Sequence, residues 1–417
     1  MTNNLKTTPL NSRHRDAGAN MADFGGFDMP LWYKTGIKAE HISVLTSAGI
    51  FDTSHMACIH VEGKDSHKLL NYYFTRDITD LVPGRCVYGA FLSSDGHCID
   101  DAIVYKFSDI LFMICVNAGM GASIAGILKE NKASMEVNIE DLSEKLGKMD
   151  IQGINSARIL GKLIQNPESV FEGMPYFSFK GSIKDGLDSK VAEVRLLDGT
   201  PILLSRSGYT GEFGFEIFVD PKAIVQLWSD ILKVGAEYNV IQCGLGARDS
   251  LRAGACLPLS HQDIGHWLFI NHPWDFTLPY NKDKSAFTKY FIGSEALLSA
   301  ADAAFTYPFV GESLRKVAAD ENTTVLDSSG NVIGKVLTCA TDMGISLHEG
   351  TIVSIASANA KDIKIKGLSC GFVMVSQKLE PGTELTLKEG KRSIKVKIVN
   401  DVRPDRTARL KLERFLN

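Results

Sequence analysis

The chain lacks any apolar run long enough to span a bilayer, any CxxC pair, any HExxH pattern, any internal repeat and any block of like charge. Each absence removes a class of function. Without a long apolar run there is no membrane-spanning helix to place. The 45 Lys and Arg residues against 49 Asp and Glu leave a formal net charge of -4. That balance lays down no basic footprint for nucleic acid or an anionic membrane. The eight cysteines, at 58, 86, 98, 115, 243, 256, 339 and 370, are scattered, several of them inside apolar runs. They read as buried free thiols in a reducing compartment rather than a disulfide frame or zinc knuckle. Residues 1–16 are polar and carry no apolar core of a signal segment, so the cytoplasm is the expected location.

What is present is a chain of 417 residues with 44% hydrophobic content, enough for two or three domains with substantial cores. Periodicity predicts helices over residues 41–48, 66–74, 122–131 and 222–238. It predicts strands over 59–63, 87–92, 102–107, 110–116, 148–152, 191–197, 201–206 and 215–219. A looser, aromatic-rich stretch covers 257–290. Beyond it, short strands at 332–335, 352–356, 371–375, 384–388 and 393–399 recur between Gly and Pro turns, the pattern of a small all-β barrel or sandwich. The boundary is expected between about residues 280 and 310.

Three units carry groups that chemistry could use. In Asp95-Gly-His-Cys-Ile-Asp-Asp-Ala-Ile-Val-Tyr105, adjacent acids at 100 and 101 open an apolar strand. Strand side chains alternate, so one acid is expected to face solvent and the other a cavity. The pair reads equally as a turn-end cap of backbone amides. In Ser207-Gly-Tyr-Thr-Gly-Glu-Phe-Gly-Phe-Glu-Ile217, three glycines allow a close backbone approach and Glu216 interrupts an apolar strand. A glycine-rich hairpin with a solvated glutamate fits as well. In Cys243-Gly-Leu-Gly-Ala-Arg-Asp-Ser-Leu-Arg252, Arg248 lies in the first turn of a helix, where the dipole disfavours a cation, so a carboxylate partner is expected.

Two patterns mislead. Val116-Asn-Ala-Gly-Met-Gly-Ala-Ser-Ile124 follows a strand and opens a helix, but Ile124 occupies the third glycine position of a dinucleotide fingerprint and no βαβ run surrounds it. The histidines at 261, 266 and 272 are spaced by five and six, which does not align ligands on a helix face; no metal site is expected, and loop or pocket-wall roles fit better.

Taken in order, several motifs resemble the glycine cleavage T-protein family. They are Thr8-Pro-Leu10, Asp23-Phe-Gly-Gly-Phe-Asp-Met-Pro30, Gly49-Ile-Phe-Asp-Thr-Ser-His-Met56, Ile99-Asp-Asp101, Val116-Asn-Ala118, Ile151-Gln-Gly153, Gly208-Tyr-Thr-Gly-Glu212 and Gly244-Leu-Gly-Ala-Arg-Asp249, with Phe291-Ile-Gly-Ser-Glu-Ala296 further on. The resemblance implies an α+β fold: a three-domain ring of mixed and antiparallel sheets with helices, ending in an all-β barrel. The domains would be residues 1–50 with 141–280 (folate-binding), 51–140 (carrying the catalytic acid) and 285–417. It implies a tetrahydrofolate-dependent aminomethyltransferase that takes the aminomethyl carbon from lipoylated H-protein to folate N5 and releases ammonia. Carried over, Asp101 sits beside N5, and Glu216 accepts hydrogen bonds from the amino-pyrimidine edge of the pterin. Arg248 braces that glutamate or meets the pterin carbonyl. Met56, Tyr88, Ile103, Tyr105, Asn117, Tyr176 and Tyr209 line the folate pocket.

The match weakens after Arg252. Where the family reads Leu-Glu-Ala-Gly-Met-Pro-Leu-Tyr-Gly, this chain reads Ala253-Gly-Ala-Cys-Leu-Pro-Leu-Ser-His261, so the acid has become Gly254 and the tyrosine Ser260. His266–Trp274 is more aromatic than the family pattern, Thr338-Cys-Ala340 replaces a threonine-serine-glycine landmark, and Arg403-Pro-Asp-Arg-Thr-Ala-Arg409 is an uncommon ending. These changes spare the folate side and leave the donor side open. The alternatives are a tetrahydrofolate-dependent demethylase, taking methyl from a small sulfur, nitrogen or oxygen compound to 5-methyltetrahydrofolate, and a non-catalytic folate-binding assembly factor.

Overall fold

The computed structural model describes residues 5–183, 186–187, 189–300, 303–357 and 363–416; residues 1–4 of the polar opening segment lie outside it. Three large sheets organise the chain. An antiparallel five-stranded sheet runs Arg85–Leu92, Cys98–Lys106, Leu111–Val116, Ala57–Glu62, Asn138–Asp141. A six-stranded sheet runs Phe179–Gly181, Leu203–Ser205, Gly214–Val219, Gly147–Gln152, Gly49–Asp52, Ile241–Gln242, with only the last pair parallel. The third is a closed barrel of Phe305–Gly311, Leu368–Val375, Val332–Asp342, Thr323–Leu326, Glu384–Glu389 and Arg392–Ile398.

The period of two in each strand decides which side chains meet. On Cys98–Lys106, Ala102 and Val104 pack beneath the helices Ser66–Tyr73 and Gly121–Asn131 through Leu69, Leu70, Ile124 and Leu128. Ile103 and Tyr105 point the other way, joining Cys58 and Cys115 against Leu203 and Phe218 of the six-stranded sheet. That sheet repeats the logic. Met149, Ile151, Phe215, Ile217 and Val219 bury one face with Trp228 of the helix Ile224–Val234. The opposite face of the same two strands presents Lys148, Asp150, Glu216 and Phe218 toward the five-stranded sheet. The two sheets therefore pack face to face, and charged groups enter the space between them.

The barrel closes against both. The helix Leu245–Gly254 sets Ala253 among Val310, Ala340 and Cys370. The irregular stretch that follows carries Phe269, Trp274 and Phe291 into one cluster with Ala90 and Leu92 of the five-stranded sheet and Leu337 and Phe372 of the barrel. Arg403, beyond the last barrel strand, is fully enclosed; it donates to Glu212 at 3.0 Å and pairs with Asp342, which also meets His41 Nε2 at 3.1 Å.

Several expectations change. Residues 191–197 form no strand: Leu196 and Arg195 make single bridges to Ile164 and Pro201, and Pro201 has no N–H with which to extend a ladder. The helix expected over 222–238 is Ile224–Val234, followed after Gly235 by the 3-10 turn Ala236–Tyr238, because Val240 packs where a Cβ on residue 235 would sit. Three barrel-region strands were not anticipated, Phe305–Gly311, Thr323–Leu326 and Ile345–His348; the first is disguised by Pro308 in its middle. Among the described residues, no helix is long and apolar enough to cross a membrane.

Removing one partner of a buried ion pair strands the other charge. Arg403→Met is expected to lower stability by about 3–5 kcal/mol, read as a shift in the urea midpoint at unchanged slope.

Candidate active site

Asp101 belongs to the face of Cys98–Lys106 that looks into the inter-sheet space, with Ile103 and Tyr105 at alternate positions beyond it. Its carboxylate accepts from Tyr88 Oη at 2.7 Å and from Asn117 Nδ2 at 2.7 Å. Tyr88 comes from the neighbouring strand, in register with Ile103. Burial raises the Asp101 carboxyl to about 6, helped by the Asp100 charge and opposed by its hydrogen bonds. The Tyr88 hydroxyl is pushed up by burial and by Asp101, so it stays a donor.

Asp100 overturns the expectation of a solvent-facing partner. It is 0% exposed. It accepts from the Asn117 backbone at 2.9 Å, from Asn117 Nδ2 at 2.8 Å and from Ser260 Oγ at 2.9 Å, and His261 Nε2 stands 3.5 Å away. The irregular segment after Leu257 covers the face that alternation would otherwise expose. One Asn117 amide thus spans both acids.

At the other end of the face, Glu216 is 5% exposed. Its Oε2 lies 3.2 Å from Lys148 Nζ and accepts from Tyr105 Oη at 3.5 Å. Lys148 also meets Asp150 Oδ1 at 3.0 Å, and Arg248 donates to Asp150 Oδ2 at 2.8 Å. Arg248 does have a carboxylate partner, but it is Asp150, and its link to Glu216 passes through Lys148. Burial works against the Lys148 charge, yet Asp150 and Glu216 hold its pKa above the ordinary lysine value. Burial raises Glu216 against the pull of Lys148; Asp150, equally buried, is held low by Lys148 and Arg248.

The remaining expected residues distribute around this strip. Met56 packs in the same cluster as Ile103 and Tyr105. Tyr105 is set edge-on against Phe179 and Phe218. The Arg248 guanidinium stacks 4.7 Å over Tyr209, whose hydroxyl donates to the Pro258 carbonyl. Tyr176 is flanked by Arg206 and Arg409 at 5.9 Å each. The three histidines separate: His261 approaches Asp100, while His272 packs between Phe269 and Trp274. Sequence reasoning missed Lys148 and Asp150, gave Ser260 only as a departure from the family pattern and His261 only a loop or pocket-wall role, and missed His55, buried beside Phe24 with a ring driven down to about 4 by burial. A signal for the first two existed in Lys148-Met-Asp-Ile-Gln152, where charge alternates with apolar residues inside a strand.

The profile of the GCVT N-terminal domain matches residues 10–268. An aminomethyltransferase of Staphylococcus epidermidis is 33% identical over 337 residues, 81% of this chain and 86% of that protein. The crystal structure of glycine cleavage system aminomethyltransferase T from Bartonella henselae aligns with a TM-score of 0.74 at 26% identity, covering 95% of this chain and 97% of that one. Fold and matches together define the class, a one-carbon transferase on the T-protein plan. The chain belongs to the GCVT aminomethyltransferase family.

Lys148→Met leaves Asp150 and Glu216 facing each other with one cation fewer. The expected loss is about 3 kcal/mol or more in chemical denaturation, and an unchanged midpoint would show that Lys148 is not what neutralises them.

Proposed function

We propose that the inter-sheet space binds tetrahydrofolate, with Glu216 gripping the amino-pyrimidine edge of the pterin and Asp101 standing at the nitrogen that gains carbon. The carrying observation is the placement of both acids along one strip. Asp101, Ile103 and Tyr105 lie on one face of one strand, and Tyr105 reaches Glu216. Four strand residues span roughly 13 Å, room for a bicyclic ring with a hydrogen bond at each end. The donor set suits that ring. A carboxylate offers two acceptors to two neighbouring N–H groups, and Lys148 and Tyr105 both meet Glu216 at Oε2, which leaves Oε1 to accept. Tyr88, Ile103, Met56 and Tyr209 supply flat and apolar walls. Asn117 would line the acid end and Tyr176 the rim, with Arg248 stacked on Tyr209 and held by Asp150.

Bound tetrahydrofolate supplies the nucleophilic nitrogen. Asp101, ionised, orients that nitrogen and favours the positive charge that develops on the transferred carbon as ammonia departs; Tyr88 and Asn117 fix its carboxylate. Preorganised charge in a water-poor site is worth several kcal/mol in such steps. The donor on this reading is the aminomethyl group of a lipoylated H-protein, encountered in the cytoplasm. We infer too that the three sheets mark the domains, residues 1–50 with 141–280, 51–140 and 285–417.

The test supplies tetrahydrofolate and aminomethylated H-protein to the native chain and its variants. Asp101→Asn should retain folate affinity and lose turnover by about 100- to 1,000-fold; near-native turnover would remove Asp101 from the reaction. Glu216→Gln should weaken folate binding about 10- to 100-fold. A carboxyl raised to about 6 is charged only above that pH, so kcat/KM is expected to fall as pH drops through about 6. Formation of 5-methyltetrahydrofolate from a small methyl donor, with no reaction from H-protein, would replace this reading by the demethylase.

A further inference from the structure

Asp100 and Asp101 point to opposite faces of their strand, yet one amide nitrogen, Asn117 Nδ2, meets both, at 2.8 and 2.7 Å. The two carboxylates therefore lie within about 6 Å of each other, close enough that ionising both is costly. Relief comes from a third element. Ser260 Oγ donates to Asp100 Oδ1 at 2.9 Å, and His261 Nε2 lies 3.5 Å from the same oxygen. His261 is no core residue: its side chain is 44% exposed and its backbone sits at φ 63°, where a non-glycine residue is strained. Its ring is nonetheless turned inward, onto a buried acid.

We propose that His261 is a positioning residue for the transfer reaction: its imidazolium, set against Asp100, favours the ionised form of the neighbouring Asp101 carboxylate and so extends activity toward acid pH. The inference rests on Asp101 acting beside the acceptor nitrogen. The ionisable groups that bear on His261 are Asp100 and Asp101; Asp263, in its own loop, is paired with Arg252. Those that bear on Asp101 are Asp100, the Tyr88 and Tyr209 hydroxyls and the Cys98 thiol, all three of the latter pushed up by burial and so neutral. His261 is the cation this cluster receives. The nearby Asp100 carboxylate raises its pKa from the ordinary histidine value near 6.5, while Asp101 loses its proton at about 6. As pH rises, Asp101 ionises first, beside an imidazolium that is still charged.

The experiment compares the native chain with His261→Gly, which suits the backbone, His261→Asn, which suits it while carrying no charge, and His261→Lys, which restores charge. Two readouts are taken from pH 5 to 9: kcat/KM with tetrahydrofolate and aminomethylated H-protein, and the Asp101 carboxyl titration by carbon-13 NMR on the free protein. In the glycine and asparagine variants, the acid limb and the Asp101 titration should both move up by about half to one pH unit, with folate affinity and the alkaline plateau unchanged. Lysine should return both toward native. An Asp101 titration that stays at its native midpoint in the glycine and asparagine variants overturns the proposal, as does a plateau that falls without movement of the limb. If the native chain shows no folate-dependent turnover, the functional reading fails by itself, and the NMR titration still decides the role of His261.

Discussion

A carboxylate enclosed between two packed sheets stays charged only where a cation or an N–H group is built in to meet it. Much of the active region follows from that constraint. Gly147–Gln152 and Gly214–Val219 must bury one apolar face on the Trp228 core, and their period of two then sends Lys148, Asp150 and Glu216 together into the gap. Lys148 lies between the two acids, and Arg248 takes the free oxygen of Asp150. The facing sheet answers with Tyr105, Ile103 and Asp101. Charge needs solvation or partners, so this strip cannot collapse as the apolar faces behind it do. It stays a place where a polar, flat molecule can substitute for water.

Much of this plan was legible beforehand, and the part that was not has a definite physical origin. Helices at Ser66–Tyr73 and Gly121–Asn131, the meander ending at Leu111–Val116, and the strand-rich last third all carry strong local periodicity. The need of Arg248 for an acid followed from its place in a helix first turn. Which acid it takes did not, because Asp150 lies 98 residues earlier in the chain. Alternation placed Asp100 and Asp101 on opposite faces; it could not tell that a distant loop covers the outer one. Residues 191–197 had strand composition, but Pro201 across the turn limits them to isolated bridges.

The departures from the family pattern after Arg252 fit the charges around them. A Cβ on Gly254 would lie 1.7 Å from Asp342 Oδ2, which pairs with Arg403. Asp342, delivered from the barrel strand Val332–Asp342, thus fills the space that a side chain at position 254 would take. A glutamate here would bring a third carboxylate to an arginine already shared by Glu212 and Asp342. Ser260 donates to Asp100 from a position where the family has a larger ring.

These contacts tie the barrel to the acid pair. The loop that brings Ser260 and His261 to Asp100 is pinned three residues after Ser260 by Asp263, which pairs with Arg252, accepts from Thr338 Oγ1 at 2.7 Å and receives the Leu259 amide at 3.0 Å. Thr338 belongs to the barrel, and Arg252 reaches it directly at 2.9 Å. The position of Ser260 thus depends on the barrel being docked, since Asp263 would otherwise lose one of its enclosed partners and the loop one of its anchors. A barrel that lies outside the proposed pterin strip still helps fix the electrostatics beside Asp101, through one short loop and two buried charges.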